Sequence, residues 1–440
     1  MERRTISMFS CDNARALSRV RRSIALRRGG RSRFRPKCLI GAIEAERLLT
    51  GVLNPLEIAR VRTTDPYRVI DAITEAMRQD GVVHGFLVAL ALGEREVLVG
   101  RHPIAPTGGR PPGTLAFNDE SGIVLCADLG ATYSRFAACD LGGAPLSEVS
   151  DEIDIAQGPD EVLDWAQKHF ADLLTGLGRQ ESDVRGIGVG VPGPVAFESG
   201  QPTSPPIMPG WDGFSIPDWF AAHYDTTVLV DNDVNIMALG EHWIHWRDRE
   251  HLMFIKVGTG IGCGIVANGA IHRGDNGAAG DIRHIRLAEN DSVLCRCGNT
   301  GCLEAVSGGR ALAQRLSAEG IEAATSRDVV RLVRSGDPVA TRLVREAGRN
   351  LGQVLAGCVN FFNPGGIVIG GDLAQAPEQL LAGVREVTFR RSLPLATERL
   401  RIVPSGLGDR AGVIGAAIMA IEHVLAPDAV DQVIRRGLAA

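Results

Sequence analysis

Nowhere do the 440 residues hold the roughly 18 consecutive apolar side chains that a membrane-crossing helix needs, so no segment reads as a span. The N-terminus is basic but has neither the apolar core nor the small-residue cleavage site of a secretory signal, and the chain reads as cytoplasmic. Aromatic residues are scarce at 5%, which argues against a β-sandwich packed on rings. Cysteine is sparse too. The 9 cysteines are scattered, without the regular spacing of a disulfide framework, except for Cys295, Cys297 and Cys302. In a long chain with no secretory signal, such a group is better read as metal ligands. Glycine is abundant at 53 residues, which suits an α/β protein with many tight turns.

Charge is unevenly placed. Residues 1–50 carry 13 Lys/Arg against 4 Asp/Glu, a net of +9, while the whole chain is at −5, leaving −14 for the rest. A basic arm on an acidic body points to an anionic partner such as nucleic acid. A solvated tail is the plainer alternative.

Residues 1–38 show no period and are expected to be unstructured. An amphipathic pattern from Leu39 to Leu53 predicts a short helix, and Asn54-Pro55 restarts one. The next helix spans Asp65–Gln79 and stops at Gly81. Val82 to Val99 is apolar and β-prone, interrupted at Gly93-Glu-Arg-Glu96 as in a hairpin. Helix, turn, helix, hairpin is the order of a winged helix-turn-helix, whose second helix enters the major groove. Here that helix would present Tyr67, Arg68 and Thr74; a generic small α/β domain fits the same order. Thr107–Pro112 reads as a linker, in which Arg110 could reach an A·T-rich minor groove.

Beyond the linker, strands alternate with helices. Strands are expected at Ile123–Ala127, Phe136–Cys139, Gly186–Val191, Val228–Val230, Met253–Val257, Gly264–Ala267 and Gly366–Ile369. Helices are expected at Pro159–Gly176, Val234–Trp246, through much of 307–362, and at Arg410–Leu425. Two strand–glycine turn–strand units about 130 residues apart suggest duplicated, facing lobes.

The turns carry chemistry. In Asp128-Leu-Gly-Ala-Thr132, Gly130 lets the backbone approach an anion, Thr132 can donate to a phosphate oxygen, and Asp128 can hold a metal-bound water. Val257-Gly-Thr-Gly-Ile-Gly262 repeats the arrangement, and Gly370-Gly371 could lie against a nucleoside. Asp231-Asn-Asp-Val-Asn235 follows a strand and opens a helix, where ligands of α/β sheets bind. Asp233 is the candidate base for a sugar hydroxyl attacking a γ-phosphate, with Asn232 positioning a neighbouring hydroxyl. An Asx turn that merely caps the helix is the competing reading.

His284, followed after ten residues by Cys295-Arg-Cys297-Gly-Asn-Thr-Gly-Cys302, offers three thiolates and an imidazole. That closed set is the signature of structural rather than catalytic zinc. Asp281 and Glu304 flank it as acceptors for sugar hydroxyls, unless they cap helices or pair with Arg283 or Arg310.

Asp128–Thr132, Gly190-Val-Pro-Gly193, Pro209-Gly-Trp211, Asn232–Asn235, Gly258–Gly262, Gly280-Asp-Ile-Arg-His284 and Cys295–Glu304 together resemble the ROK family of sugar-responsive repressors and ATP-dependent sugar kinases. The resemblance implies an actin-like (ribonuclease H-like) two-lobed α/β fold, preceded here by the small winged-helix domain. It assigns phosphate roles, for ATP with Mg2+, to Asp128, Gly130, Thr132, Gly258, Thr259, Gly260, Gly262, Gly370 and Gly371. It makes Asp233 the base, with sugar contacts from Asn232, Asp233, Asp281, His284 and Glu304, and it gives zinc to His284, Cys295, Cys297 and Cys302.

The implied layout is a basic arm 1–38, a winged-helix-like domain 39–106, a linker 107–121, a first lobe 122–238 completed by a helix over 410–425, a second lobe 239–409, and a tail 426–440. Kinase members have a second glycine where this chain has Ala131, and Glu-x-Gly-His where it has Asp281-Ile-Arg-His284. These departures bear on ATP affinity and sugar preference. With some 120 residues in front of the first turn, the layout favours a transcriptional regulator, a homodimer or tetramer, that binds a hexose or amino sugar and DNA. A sugar kinase of the glucokinase or N-acetylhexosamine kinase type is the alternative, and an inert sugar-binding scaffold a third.

Overall fold

A computed structural model describes residues 114–426 and Ala429, with short strands at Ile6–Ser7 and Leu98–Arg101. The helix pair expected before Gly81, the rest of the hairpin after it, and Tyr67, Arg68, Thr74 and Arg110 lie outside the described residues. The short strands β1 (Ile6–Ser7) and β2 (Leu98–Arg101) both pair antiparallel with β3 (Thr114–Phe117). Thr114–Phe117 is therefore a strand within the stretch read as linker.

The larger of two compact units, Leu125–Cys139 with Pro145–Met419, carries the candidate site. One five-stranded sheet is formed from β4 (Ile123–Leu129), β5 (Ser134–Asp140), β6 (Pro145–Asp151), β7 (Val184–Val191) and β10 (Thr227–Asn232), in the order β10-β7-β4-β5-β6. Strand β4 is central, and all seven of its residues are buried, as its unbroken apolar run requires. At the edge, β6 alternates exposed and half-covered side chains, a polar pattern that hides it in the sequence. A two-stranded ribbon of β8 (Val195–Ala196) and β9 (Gln201–Pro202) follows β7.

Helix α1 (Pro159–Gly176) begins on a proline that its first turn tolerates, and it buries Val162, Leu163, Ala166, Phe170 and Leu173 at helical spacing. Phe170 meets Phe136 of β5 edge-on, with centroids 5.8 Å apart. A short helix α2 (Ile216–Ala221) is capped by the Ser215 side chain.

The second five-stranded sheet contains β11 (Leu252–Val257), β12 (Ile261–Ala267), β13 (Ala270–Ile271), β14 (Gly366–Gly370) and β15 (Arg401–Pro404), in the order β13-β12-β11-β14-β15. Strands β11 and β14 run parallel, whereas β11 and β12 form the hairpin around the second glycine turn. After α3 (Asp233–His245), α4 (Leu303–Ser307), α5 (Gly309–Ala318) and α6 (Ser326–Arg334) lead to the 25-residue α7 (Pro338–Phe362). That long helix stops at Asn363, left-handed at φ 53°, just before Pro364. It packs against α8 (Pro377–Arg391), where Gly348, Gly352 and Gly383 bring the two backbones close. A single turn, α9 (Pro394–Thr397), precedes β15.

Helix α10 (Ala411–Val424) is buried along nearly its whole length. Gly240 of α3 and Gly415 of α10 face each other so closely that a Cβ on either would strike the other helix's backbone. At the start of α10, Gly412 lies against the Asp128 carboxylate, which a Cβ there would strike.

Candidate functional site

Two aspartates and one lysine form the centre of the site. Lys256, on the otherwise buried strand β11, places Nζ 2.6 Å from Oδ2 of Asp233. Asp233 receives a second bond from the backbone N–H of Val234, at 2.8 Å on Oδ1. Asp128 is buried, and its Oδ1 has no hydrogen-bond partner among the described residues. Burial pushes the Asp128 carboxyl up to about 7; Lys256 pulls it down and Asp233 pushes it up further. Burial opposes the Lys256 charge, but Asp233 and Asp128 outweigh it and hold the ammonium well above the ordinary lysine range.

The two phosphate-type turns use their glycines differently. Gly130 is needed because the Tyr133 carbonyl folds over it, accepting its N–H at 3.1 Å. In the second turn a Cβ at Gly260 would collide with the Glu304 carboxylate, which accepts the Ile261 N–H at 3.1 Å. Gly262 leaves ordinary room beside Val234, and Gly258 looks toward Asp372. Thr132 and Thr259 are exposed. Gly370 is packed against the Phe254 ring, and Gly371 adopts φ 83° against the Val257 carbonyl.

Asn232 has the capping role weighed above. Its Oδ1 accepts the Val234 N–H at 3.1 Å, and its amide donates to the Gly193 carbonyl at 2.9 Å. The neighbouring Asp231 is buried and fully bonded. Its Oδ1 accepts from the Asn232 N–H and the Asn235 amide, and its Oδ2 from Arg273 Nε at 2.8 Å and Nη2 at 2.7 Å. Arg273 also lies over the Phe197 ring, 3.6 Å from its centroid.

The two acceptors flanking the cysteine cluster are both partnered. Asp281 is exposed and clamped by Arg283, with bonds of 2.8 and 3.2 Å. Burial opposes the Arg283 charge, while Asp281, then Glu304 and Asp233, favour it, so the guanidinium faces the acidic centre. Glu304 also lies 3.5 Å from Arg296.

The donor atoms of His284, Cys295, Cys297 and Cys302 lie within 4.8 Å of one another. Cys297 Sγ and Cys302 Sγ are 3.7 Å apart, and Cys295 Sγ is 3.7 Å from His284 Nδ1. A tetrahedral zinc with bonds of about 2.3 Å to sulfur sets S···S edges near ~3.8 Å, which the Cys297–Cys302 spacing matches, so the donor set suits a metal ion. The backbone N–H of Asn299 holds the Cys297 thiol below its ordinary range, whereas burial pushes Cys302 up to about 12. A thiolate at Cys302 therefore calls for a cation beside it.

Beyond Asp372, a cavity of about 420 Å³ is lined by Tyr133, Arg327, Arg331, Arg334, Asp372 and Asp409, among others. Asp372 accepts the Ser326 hydroxyl at 2.5 Å and faces Arg327 at 3.8 Å.

Asp233 and Asp128 thus share the Lys256 ammonium, and Glu304 lies against the Gly258–Gly262 turn. Lys256, Arg273 and Arg327 were missed. A charged residue interrupting Met253-Phe-Ile-Lys-Val257 just before a glycine turn was a signal for the first of them.

Mixed sheets, paired glycine turns and a metal-competent loop running into Glu304 define an α/β protein of the sugar-kinase type. The chain belongs to the ROK family, which matches residues 124–423. A xylose repressor of Caldicellulosiruptor bescii is 27% identical over 86% of this chain and 95% of its own. A glucokinase of Halalkalibacterium halodurans is 32% identical, over 66% of this chain and 92% of its own. Among solved structures, a glucokinase from Streptomyces griseus in complex with glucose and AMPPNP is 27% identical with a TM-score of 0.58, covering 68% of this chain and 99% of that one. A ROK family transcriptional regulator, a homologue of the E. coli MLC protein, shares the fold with a TM-score of 0.70 at 24% identity, over 90% of this chain and 95% of that one.

Proposed function

We propose that this protein is a sugar-responsive transcriptional regulator that binds a hexose, pentose or amino sugar beside Asp233 and DNA through its N-terminal domain and the linker that follows it. One observation carries the reading. Similarity to a repressor runs along 86% of the chain, whereas similarity to a glucokinase stops at 66%. In this reading Asn232, Asp233, Asp281, His284 and Glu304 surround the sugar. His284, Cys295, Cys297 and Cys302 hold a structural zinc, which fixes the loop between Asp281 and Glu304. Tyr67, Arg68, Thr74 and Arg110 are the DNA candidates, in a cytoplasmic homodimer or tetramer.

Sugar and DNA are then linked ligands, and each must change the other's affinity by the same factor. The test is fluorescence anisotropy with DNA fragments selected from a genomic library, titrated with and without D-xylose, D-glucose and N-acetylglucosamine. A sugar that shifts DNA affinity supports the regulator; a sugar that binds while DNA affinity stays fixed removes the switch. The alternative, an ATP-dependent sugar kinase, is favoured by the retained Asp233 and the two glycine turns. It predicts sugar-dependent ATP consumption that Asp233→Asn abolishes.

A further inference from the structure

The position of Lys256 bears on why the site would sense rather than transfer. It is one of only three lysines in the chain, against 44 arginines. It sits on β11, where every other residue is buried, and its side chain is 25% exposed. Asp233, Asp128 and Asp372 all act on its charge, so one ammonium faces three carboxylates. Phosphoryl transfer requires a sugar oxygen to bond to phosphorus as its proton passes to a carboxylate oxygen and the phosphorus–oxygen bond to the nucleotide diphosphate breaks. It also requires a divalent cation near those carboxylates. Here both oxygens of Asp233 already accept bonds from the protein, one from the Val234 N–H and one from Lys256. Asp128 Oδ1, buried and without a partner among the described residues, is the remaining acceptor.

We infer that the Lys256 ammonium is a built-in counter-ion, occupying the place where Asp128 and Asp233 would otherwise gather a divalent cation and leaving the cleft able to bind sugar but not to transfer phosphate. A tethered charge at this distance does not dissociate, and a second cation beside it is repelled in a partly desolvated setting. Removing the ammonium leaves the Asp233 and Asp128 carboxylates without their shared counter-charge, the second with a buried acceptor oxygen, a hard-oxygen set suited to Mg2+ or Mn2+.

The inference rests on reading the cleft as a sugar site, and its test uses neither sugar nor DNA, so each can fail alone. The full-length, zinc-loaded protein is titrated with Mn2+ alone, with free Mn2+ followed by electron paramagnetic resonance. Wild type and Lys256→Arg should match each other in weak background binding. Lys256→Ser should gain a site at least about tenfold tighter, and adding Asp128→Asn to it should remove that site. Lys256→Met keeps the aliphatic stem and replaces the serine variant if the latter fails to fold. Two results overturn the inference: wild type binding Mn2+ as tightly as the uncharged variants, or a folded uncharged variant with wild-type zinc content that gains no site.

Discussion

Arg283 folds back onto Asp281, two residues before it, with Nε 2.8 Å from Oδ1 and Nη2 3.2 Å from Oδ2. ROK kinases carry glycine at the position of Arg283, so the clamp belongs to this chain's departure from their pattern. A carboxylate held by a guanidinium is a poorer acceptor for a sugar hydroxyl, because that bond must first be loosened. Arg283→Gly should therefore tighten binding of the effector sugar by about 5- to 10-fold, the net worth of one ordinary hydrogen bond. Isothermal calorimetry measures it. Weaker binding in the variant would mean that Arg283 itself touches the sugar.

Asp231 makes a different prediction because nothing about it is left to a ligand. Four donors converge on its buried carboxylate, two of them from Arg273. Asp231→Ala removes the partner of a half-buried guanidinium and leaves the Asn235 amide unpaired, so it should cost about 3–5 kcal/mol of stability. Adding Arg273→Met should recover part of that loss, since the stranded charge is gone. Urea denaturation of the two variants distinguishes this from a purely catalytic role, which would leave stability untouched.

What the sequence disclosed follows from how local each feature is. Helix α1 is read to both of its ends because Pro159 marks its first turn and its apolar positions repeat cleanly. The cysteine cluster is equally plain, since three of its four donors lie within eight residues. Lys256 and Asp233 are 23 positions apart and meet only because β11 lies against the start of α3. Arg273 reaches Asp231 across 42 positions. No periodicity reports such a pair. Helix α8 goes unread because Gly383 and Thr388 interrupt its apolar stripe, and β15 because four residues ending in proline carry little strand signal.

The four thiol and imidazole donors predict one zinc per chain, measurable by atomic absorption. Cys295→Ser should lose the ion and lower the melting temperature by about 5 °C or more, as removal of a folding-coupled metal does. Sugar affinity should fall with it, because the Cys302-to-Glu304 turn that carries the Glu304 carboxylate to Gly260 and Ile261 loses its anchor. Full sugar affinity in the zinc-free protein would separate the metal from the site.

Asp128 makes stability depend on pH in a defined direction. Burial raises its carboxyl from an ordinary value near 3.8 to about 7 in the folded protein. Between those values the folded state holds a proton that the unfolded chain has released, so this group's contribution is complete below about pH 4 and is lost as pH rises to 7. An asparagine does not titrate. Asp128→Asn should therefore gain stability relative to wild type as pH is raised from 4 to 7, with the difference levelling off above 7. Paired urea titrations at pH 5 and pH 8 read the change directly, and differencing the two proteins cancels the other titrating groups. A difference that does not move with pH would mean that Asp128 is ionised throughout and that Lys256 neutralises it more completely than the buried setting implies.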